Sequence, residues 1–147
     1  MNIQTLVLQG GMALLATTGF AVLFNVPPRL LAACGIVGIG GHLVRYSLLH
    51  SGLAPSLAAY VGALFVGLVG YAISTHYKLP RLVFTVTGII TMIPGIPAYE
   101  VLLYFYNGDL SGGLAAGVYA VLITGAVAAG LSTARLLTDT DLRHVKG

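Results

Sequence analysis

The stretch Met92-Ile93-Pro94-Gly95-Ile96-Pro97-Ala98-Tyr99-Glu100 sits inside an apolar segment, Leu82 to Asn107, that is otherwise suited to span a bilayer. Pro94 and Pro97 each lack a backbone N–H and clash with the preceding turn, and Gly95 has no Cβ to favour a helix. Two prolines and a glycine this close together predict a helix broken between about Ile93 and Pro97, not one merely bent. Broken backbone at membrane depth is tolerated only where protein or a water-filled cavity supplies the missing hydrogen-bond partners. Glu100 follows directly, as the one acidic residue expected inside a span. A carboxylate beside a broken helix points to a transport site.

Composition sets the same scene. Of 147 residues, 57% are hydrophobic and 7% charged, where a soluble domain carries roughly 25% charged residues. No soluble core of this size hides that much apolar surface, so the chain reads as one polytopic, all-α membrane domain in a lipid bilayer. The lone cysteine, Cys34, excludes an intrachain disulfide and reads as a small buried hydrophobe. Basic residues do not cluster with aromatics, so nucleic acid is not an expected partner. There is no nucleophile–base pair, metal-ligand cluster or phosphate loop, which argues against an enzyme and implies no cofactor.

Five spans are expected in order. The first runs over 3–24, uncharged, and is read as a span because residues 1–10 hold no Lys or Arg to make a signal peptide. Asn25-Val26-Pro27-Pro28-Arg29 ends it. The second, 30–49, places Gly35, Gly38, Gly41, His42 and Arg45 on one side, small residues for close helix approach with polar ones at the end of the stripe. The third, 57–75, carries Ala59, Ala63, Gly67, Gly70 and Ser74 on one stripe. The broken fourth, 82–107, follows the basic loop His76–Arg81 and ends in Tyr104-Phe105-Tyr106, an aromatic interfacial belt. The fifth, 114–136, opens on Gly113 and Gly117 and puts Ala120, Thr124, Ala128 and Ser132 on the same face; 138–147 reads as a polar tail.

Alternating the loops puts Arg29, Lys78, Arg81, Arg135, Arg143 and Lys146 on one side and only Arg45 toward the other. Positive residues stay cytoplasmic, so the N-terminus is expected outside and the C-terminus inside the inner (plasma) membrane.

Depth links the two interior charges. Arg45 and Glu100 both lie five or six residues outward of the midpoints of their spans, roughly 8 Å from the bilayer centre at 1.5 Å per residue. Opposite charges at one depth either pair statically, as a strut between helices, or share a substrate carrying both signs, such as an amino acid zwitterion. Arg45 can also simply snorkel, and His42 can be a packed, hydrogen-bonded helix residue in place of a ligand. The positive end of a helix starting at Pro97 would favour a carboxylate. In the first turn after the break, the helix dipole favours ionised Glu100 while desolvation favours its protonation, which suits proton-coupled exchange.

The order of elements resembles the small membrane subunit of the threonine/serine exporter family. The matching features are Val26-Pro27-Pro28-Arg29 after a first span, a glycine-rich second span, the Lys78-Leu79-Pro80 loop, and Ile93-Pro94-Gly95 followed by Tyr99. Where members often carry an earlier Pro-Gly, this chain has Thr87-Gly88. The resemblance implies export of threonine and serine, or of a dicarboxylate (succinate) in some two-component relatives, together with a larger partner subunit. It carries over onto Pro94, Gly95 and Tyr99; Arg45, His42 and Glu100 rest on the depth argument. Five spans with the N-terminus outside are also what one half of an inverted-topology transporter requires. A homo-oligomer and a non-transporting scaffold subunit stay open as alternatives.

Overall fold

A computed structural model describes residues 3–144, with side chains as far as Asp139. Six helices follow one another: α1 (Ile3–Leu23), α2 (Pro28–His50), α3 (Pro55–Tyr77), α4 (Leu82–Ile89), α5 (Gly95–Tyr106) and α6 (Leu110–His144), with a 3₁₀ turn, Ile90–Met92, between α4 and α5. There is no strand among the described residues. Four of the helices are long and apolar enough to cross a membrane, and α4 with its 3₁₀ turn and α5, bent by 49°, bring the number to five when taken together as one span.

Local chemistry sets the boundaries. Pro28 and Pro55 start α2 and α3 at a position where the absent N–H has no helical partner to lose. Lys78 closes α3 in the left-handed region, φ 54°, and the Leu79 N–H donates to the Ser74 carbonyl at 3.0 Å. Asp109 caps α6: its carboxylate accepts from the Gly112 N–H at 2.9 Å and from the Ser111 hydroxyl at 2.8 Å.

Small residues set the packing. Where α2 crosses α3, Gly41 and Gly62 face each other; a Cβ at Gly62 would meet the Gly41 carbonyl at 3.1 Å and the Met92 methyl at 3.2 Å. A Cβ at Gly130 on α6 would run into the Tyr60 carbonyl of α3. Met92, from the break, is fully buried in a core with Val37, Ala59, Ala63, Val66, Ile123 and Val127. A second core joins Ala21, Leu30, Cys34 and Phe84 of α1, α2 and α4. The packing partners divide at the bend: α4 lies on α2 and α3, whereas α5 lies on α6.

Several expectations are corrected. The interruption lies earlier than 93–97, across the 3₁₀ turn, Ile93 and Pro94, and Pro97 sits inside the first turn of α5. There its missing N–H costs nothing, so it helps start a helix. The fifth span begins at Leu110 and its helix runs unbroken to His144, because no proline or glycine interrupts 131–144 and Arg135 reaches Asp139 one turn on. Lys146 and the rest of 145–147 lie outside the described residues. The stripe on the fifth span is also displaced. Ile123, Val127, Gly130, Ala134 and Thr138 are buried, while Thr124, Ala128 and Ser132 are exposed. The first turns of α6 answer to α5, with Phe105 over Gly113; its second half answers to α3. A seam read from small residues alone misses that change of partner. The stripe on α3 is buried throughout, from Ala59 to Ser74.

Two outcomes follow. Gly41→Ala forces its methyl into Val66 and Met92 and is expected to lower stability by about 1–3 kcal/mol; Gly125→Ala, with open space around its Cβ, is expected to be neutral or slightly stabilising. Thermal denaturation in detergent compares the two. The Gly112 N–H, then the Ser111 hydroxyl, hold the Asp109 carboxyl below the usual carboxylate range. A depressed folded pKa gives stability that is complete above the unfolded value of about 3.9 and is lost as pH falls through the folded one. Amide exchange at Gly112 should therefore accelerate only below about pH 4, and Asp109→Asn should remove that step.

Candidate functional site

The break is built from three consecutive constraints. The Ile93 N–H makes only a long bond to the Ile90 carbonyl, 3.4 Å, which ends the 3₁₀ turn. Ile93 is extended, φ −62° and ψ 127°, as a residue before proline must be. Pro94, φ −77° and ψ 64°, is the centre of an inverse γ-turn closed by the Gly95 N–H on the Ile93 carbonyl at 2.8 Å. The Pro94 carbonyl then accepts from Ala98 at 3.1 Å and α5 is under way. Helix rises place about 18 Å of structure on either side of this point, so the break lies midway along a helix pair whose length matches a hydrocarbon core of about 30 Å.

Polar atoms left without partners surround that depth. Among the described residues, the buried side-chain atoms with no hydrogen bond are Thr17 Oγ1 on α1, His42 Nδ1 and Arg45 Nε on α2, and Thr91 Oγ1 in the 3₁₀ turn. Each lies within about 10 Å of its span's midpoint. A buried unsatisfied group costs about 1–3 kcal/mol, and four of them spread through the middle of one bundle call for an explanation other than stability.

His42 is anchored from the first span: its Nε2 and Gln9 Oε1 lie 3.0 Å apart, within hydrogen-bond distance. In the tautomer with the ring proton on Nε2, Nδ1 is left as an acceptor. Tyr46 and His50 continue a ring ladder along α2, with centroids 6.4 and 4.2 Å apart. The Cβ of Arg45 rests over Gly62, and its guanidinium is in electrostatic reach of His42 and of Tyr119 on α6. Arg45 therefore offers a donor and His42 an acceptor one turn apart.

The other expected site residues divide. Pro94 is buried and Pro97 half-buried; Gly95 is exposed with open space about its Cβ, and Tyr99 is 60% exposed. Glu100 is half-buried on α5, six residues beyond the break. The two form no ion pair: the ion pairs among the described residues are Arg81–Asp139 and Arg135–Asp139. The bend explains the separation, since it turns α5 onto α6 and away from α2. Sequence reasoning passed over Gln9, Thr91 and Tyr119. Gln9 carried a signal, as an amide well inside the uncharged first span, one turn and more beyond Gln4 at its start; Thr91 and Tyr119 carried none. No three His, Cys, Asp or Glu side chains come together as a metal site among the described residues.

Known proteins bear on this geometry directly. The family described as "Threonine/Serine exporter, ThrE" matches residues 9–137. The chain belongs to the threonine/serine exporter family. It is thus a multi-pass membrane protein of a transporter family. A Haemophilus influenzae relative, described only as an uncharacterized protein, is 37% identical over 91 residues, which is 62% of this chain and 31% of the relative. The chain thus spans about a third of that relative's length. No solved structure matches significantly.

The two prolines are not equivalent. In a continuous helix Pro97 would still deny the Ile93 carbonyl its partner and press its ring against it. Pro94→Ala alone should leave the bend in place, and only Pro94→Ala with Pro97→Ala should straighten it. Distance measurement between spin labels at Thr85 and Leu102, in a Cys34→Ala background, distinguishes 49° from a straight span.

Proposed function

We propose that this chain is a subunit of a two-component exporter of small amino acids, threonine and serine, working with a larger partner subunit and coupled to protons. The observation that supports it most is the midplane break surrounded by unpartnered donors and acceptors. In this reading Arg45 binds the substrate carboxylate, and His42 Nδ1 and the Thr91 hydroxyl meet its donors. Glu100 approaches the ammonium group from α5 and takes up the coupling proton. Pro94, Gly95 and Pro97 form the backbone of the site, and Tyr99 borders it. The absence of a static Arg45–Glu100 pair in this state favours two charges that meet across a ligand over two charges that bolt helices together.

The chain supplies one half of an inverted-topology pair, and the partner supplies the other. Among the described residues Arg29, Lys78, Arg81 and Arg135 lie toward one end of the bundle and Asp109 at the other, with Arg45 alone toward the second. The first end is cytoplasmic, and the N-terminus is outside the inner membrane. A dicarboxylate such as succinate is the second substrate class to be tried, since the resemblance to two-component relatives implies it and Arg45 can hold one carboxylate.

Proteoliposome flux of labelled serine, threonine and succinate, with and without the co-expressed larger subunit, tests this reading. Glu100→Gln is expected to abolish amino acid flux while moving stability by no more than about 0.5 kcal/mol, because no ion pair is broken. Arg45→Met should also abolish flux, and the double variant should stay inactive. Recovery of transport in the double variant would return the pair to a structural role.

A further inference from the structure

At the arginine-rich end of the bundle, α4 and α6 both pack on α3 but stand apart from each other. Between them lies a groove of about 520 Å³, lined chiefly by Arg81, Leu82, Thr85, Leu131, Arg135 and Thr138. Arg81 bridges it. One guanidinium nitrogen donates to Thr138 Oγ1 at 2.9 Å and another to Asp139 Oδ1 at 2.7 Å, while the group lies 4.6 Å over the Tyr71 ring. Arg135 reaches the other oxygen of Asp139 at 3.4 Å with its side chain 79% exposed. One carboxylate thus serves two guanidinium groups, and the cluster keeps a positive excess. A guanidinium carries five N–H donors, and Arg135 commits one of them.

The lining is graded in character. Arg81, Arg135, Thr138 and Asp139 form its charged and polar end, and Gly67, Thr85 and Leu131 lie a turn or more further into their helices. The sequence of α6 turns from apolar to polar at Thr138-Asp139-Thr140-Asp141, which suits the charged end of the groove to the level where hydrocarbon gives way to headgroups.

We propose that this groove is a binding site for one anionic phospholipid, its phosphate held by Arg81 and Arg135 and one acyl chain lying between α4 and α6. Guanidinium forks match phosphate oxygens in geometry and charge. Basic pockets between transmembrane helices recognise anionic headgroups for these reasons. A neutral, purely apolar filler would leave the positive excess at the headgroup level unanswered. The site is independent of the transport reading and needs only the membrane setting.

Native mass spectrometry of the purified chain, titrated with phosphatidylglycerol or phosphatidylcholine of matched acyl chains, tests the assignment. The wild-type chain is expected to retain the anionic lipid preferentially. Arg135→Gln should weaken that binding roughly fivefold, the effect of one basic residue near an anionic surface, and leave phosphatidylcholine binding and the melting temperature unchanged. Arg81→Gln should weaken it at least as much, and Asp139→Asn should tighten it. Arg135→Gln keeps the test decisive if loss of Arg81 loosens the α4–α6 tie. Equal retention of the two lipids by the wild-type chain overturns the proposal, as does a preference that survives both arginine substitutions. Glycerol phosphate, the soluble headgroup, is expected not to compete at millimolar concentration. If it displaces the lipid, the groove is a free-anion site instead.

Discussion

In hydrocarbon every backbone N–H and C=O must find its partner within the protein, and this requirement shapes the middle of the chain more than any side chain does. Pro94 and Pro97 remove two donors from the fourth span, and the chain answers by ending one helix and beginning another. The γ-turn at Pro94 uses the Gly95 N–H locally. Pro97 falls where a new helix has no use for its N–H. Two residues that would each disable a continuous helix therefore make an orderly junction, and the junction reaches mid-depth without exposing a row of bare peptide groups to lipid.

That junction is held by Met92, the fully buried residue that ends the 3₁₀ turn and reaches the crossing of α2 and α3. The crossing is close only because Gly41 and Gly62 meet there. Side chains on both would push the helices apart and close the space the Met92 methyl occupies. The same point carries the Cβ of Arg45. The position of the interior cation is therefore tied to the packing that anchors the break.

Much of this was legible in the sequence. Length, hydropathy and proline placement are enough to expect five spans with the fourth interrupted, because these follow from local rules about donors, rotamers and bilayer thickness. The stripe on α3 was legible because one face meets partners along the whole helix. The seam on α6 was not, because that helix changes partner from α5 to α3 midway, and a list of small residues records no such change. Position along a helix needs only counting, and for Arg45 and Glu100 it was legible to within a turn. Lateral position was not. Whether two residues at one depth touch depends on which way the chain turns at the break, and 49° of bend separates this pair. Gln9 was within reach, as a polar residue without purpose in an apolar helix. Thr91 was not, since a threonine in a span ordinarily bonds its own helix, as Thr87 does to the Val83 carbonyl at 2.8 Å.

The division of packing at the bend also has a mechanical side. α4 is wedged between α2 and α3 and contributes Phe84 to a core, whereas α5 has no fully buried residue. The fourth span is thus a fixed post joined at the bilayer centre to a lightly held arm about 18 Å long. Geometry alone makes such an arm an amplifier. A rotation of roughly 10° about the junction carries its far end about 3 Å, while atoms beside the pivot scarcely move. Small changes in what occupies the centre of the membrane would be read out as large ones at its surface, where the Tyr104-Phe105-Tyr106 ring cluster sits.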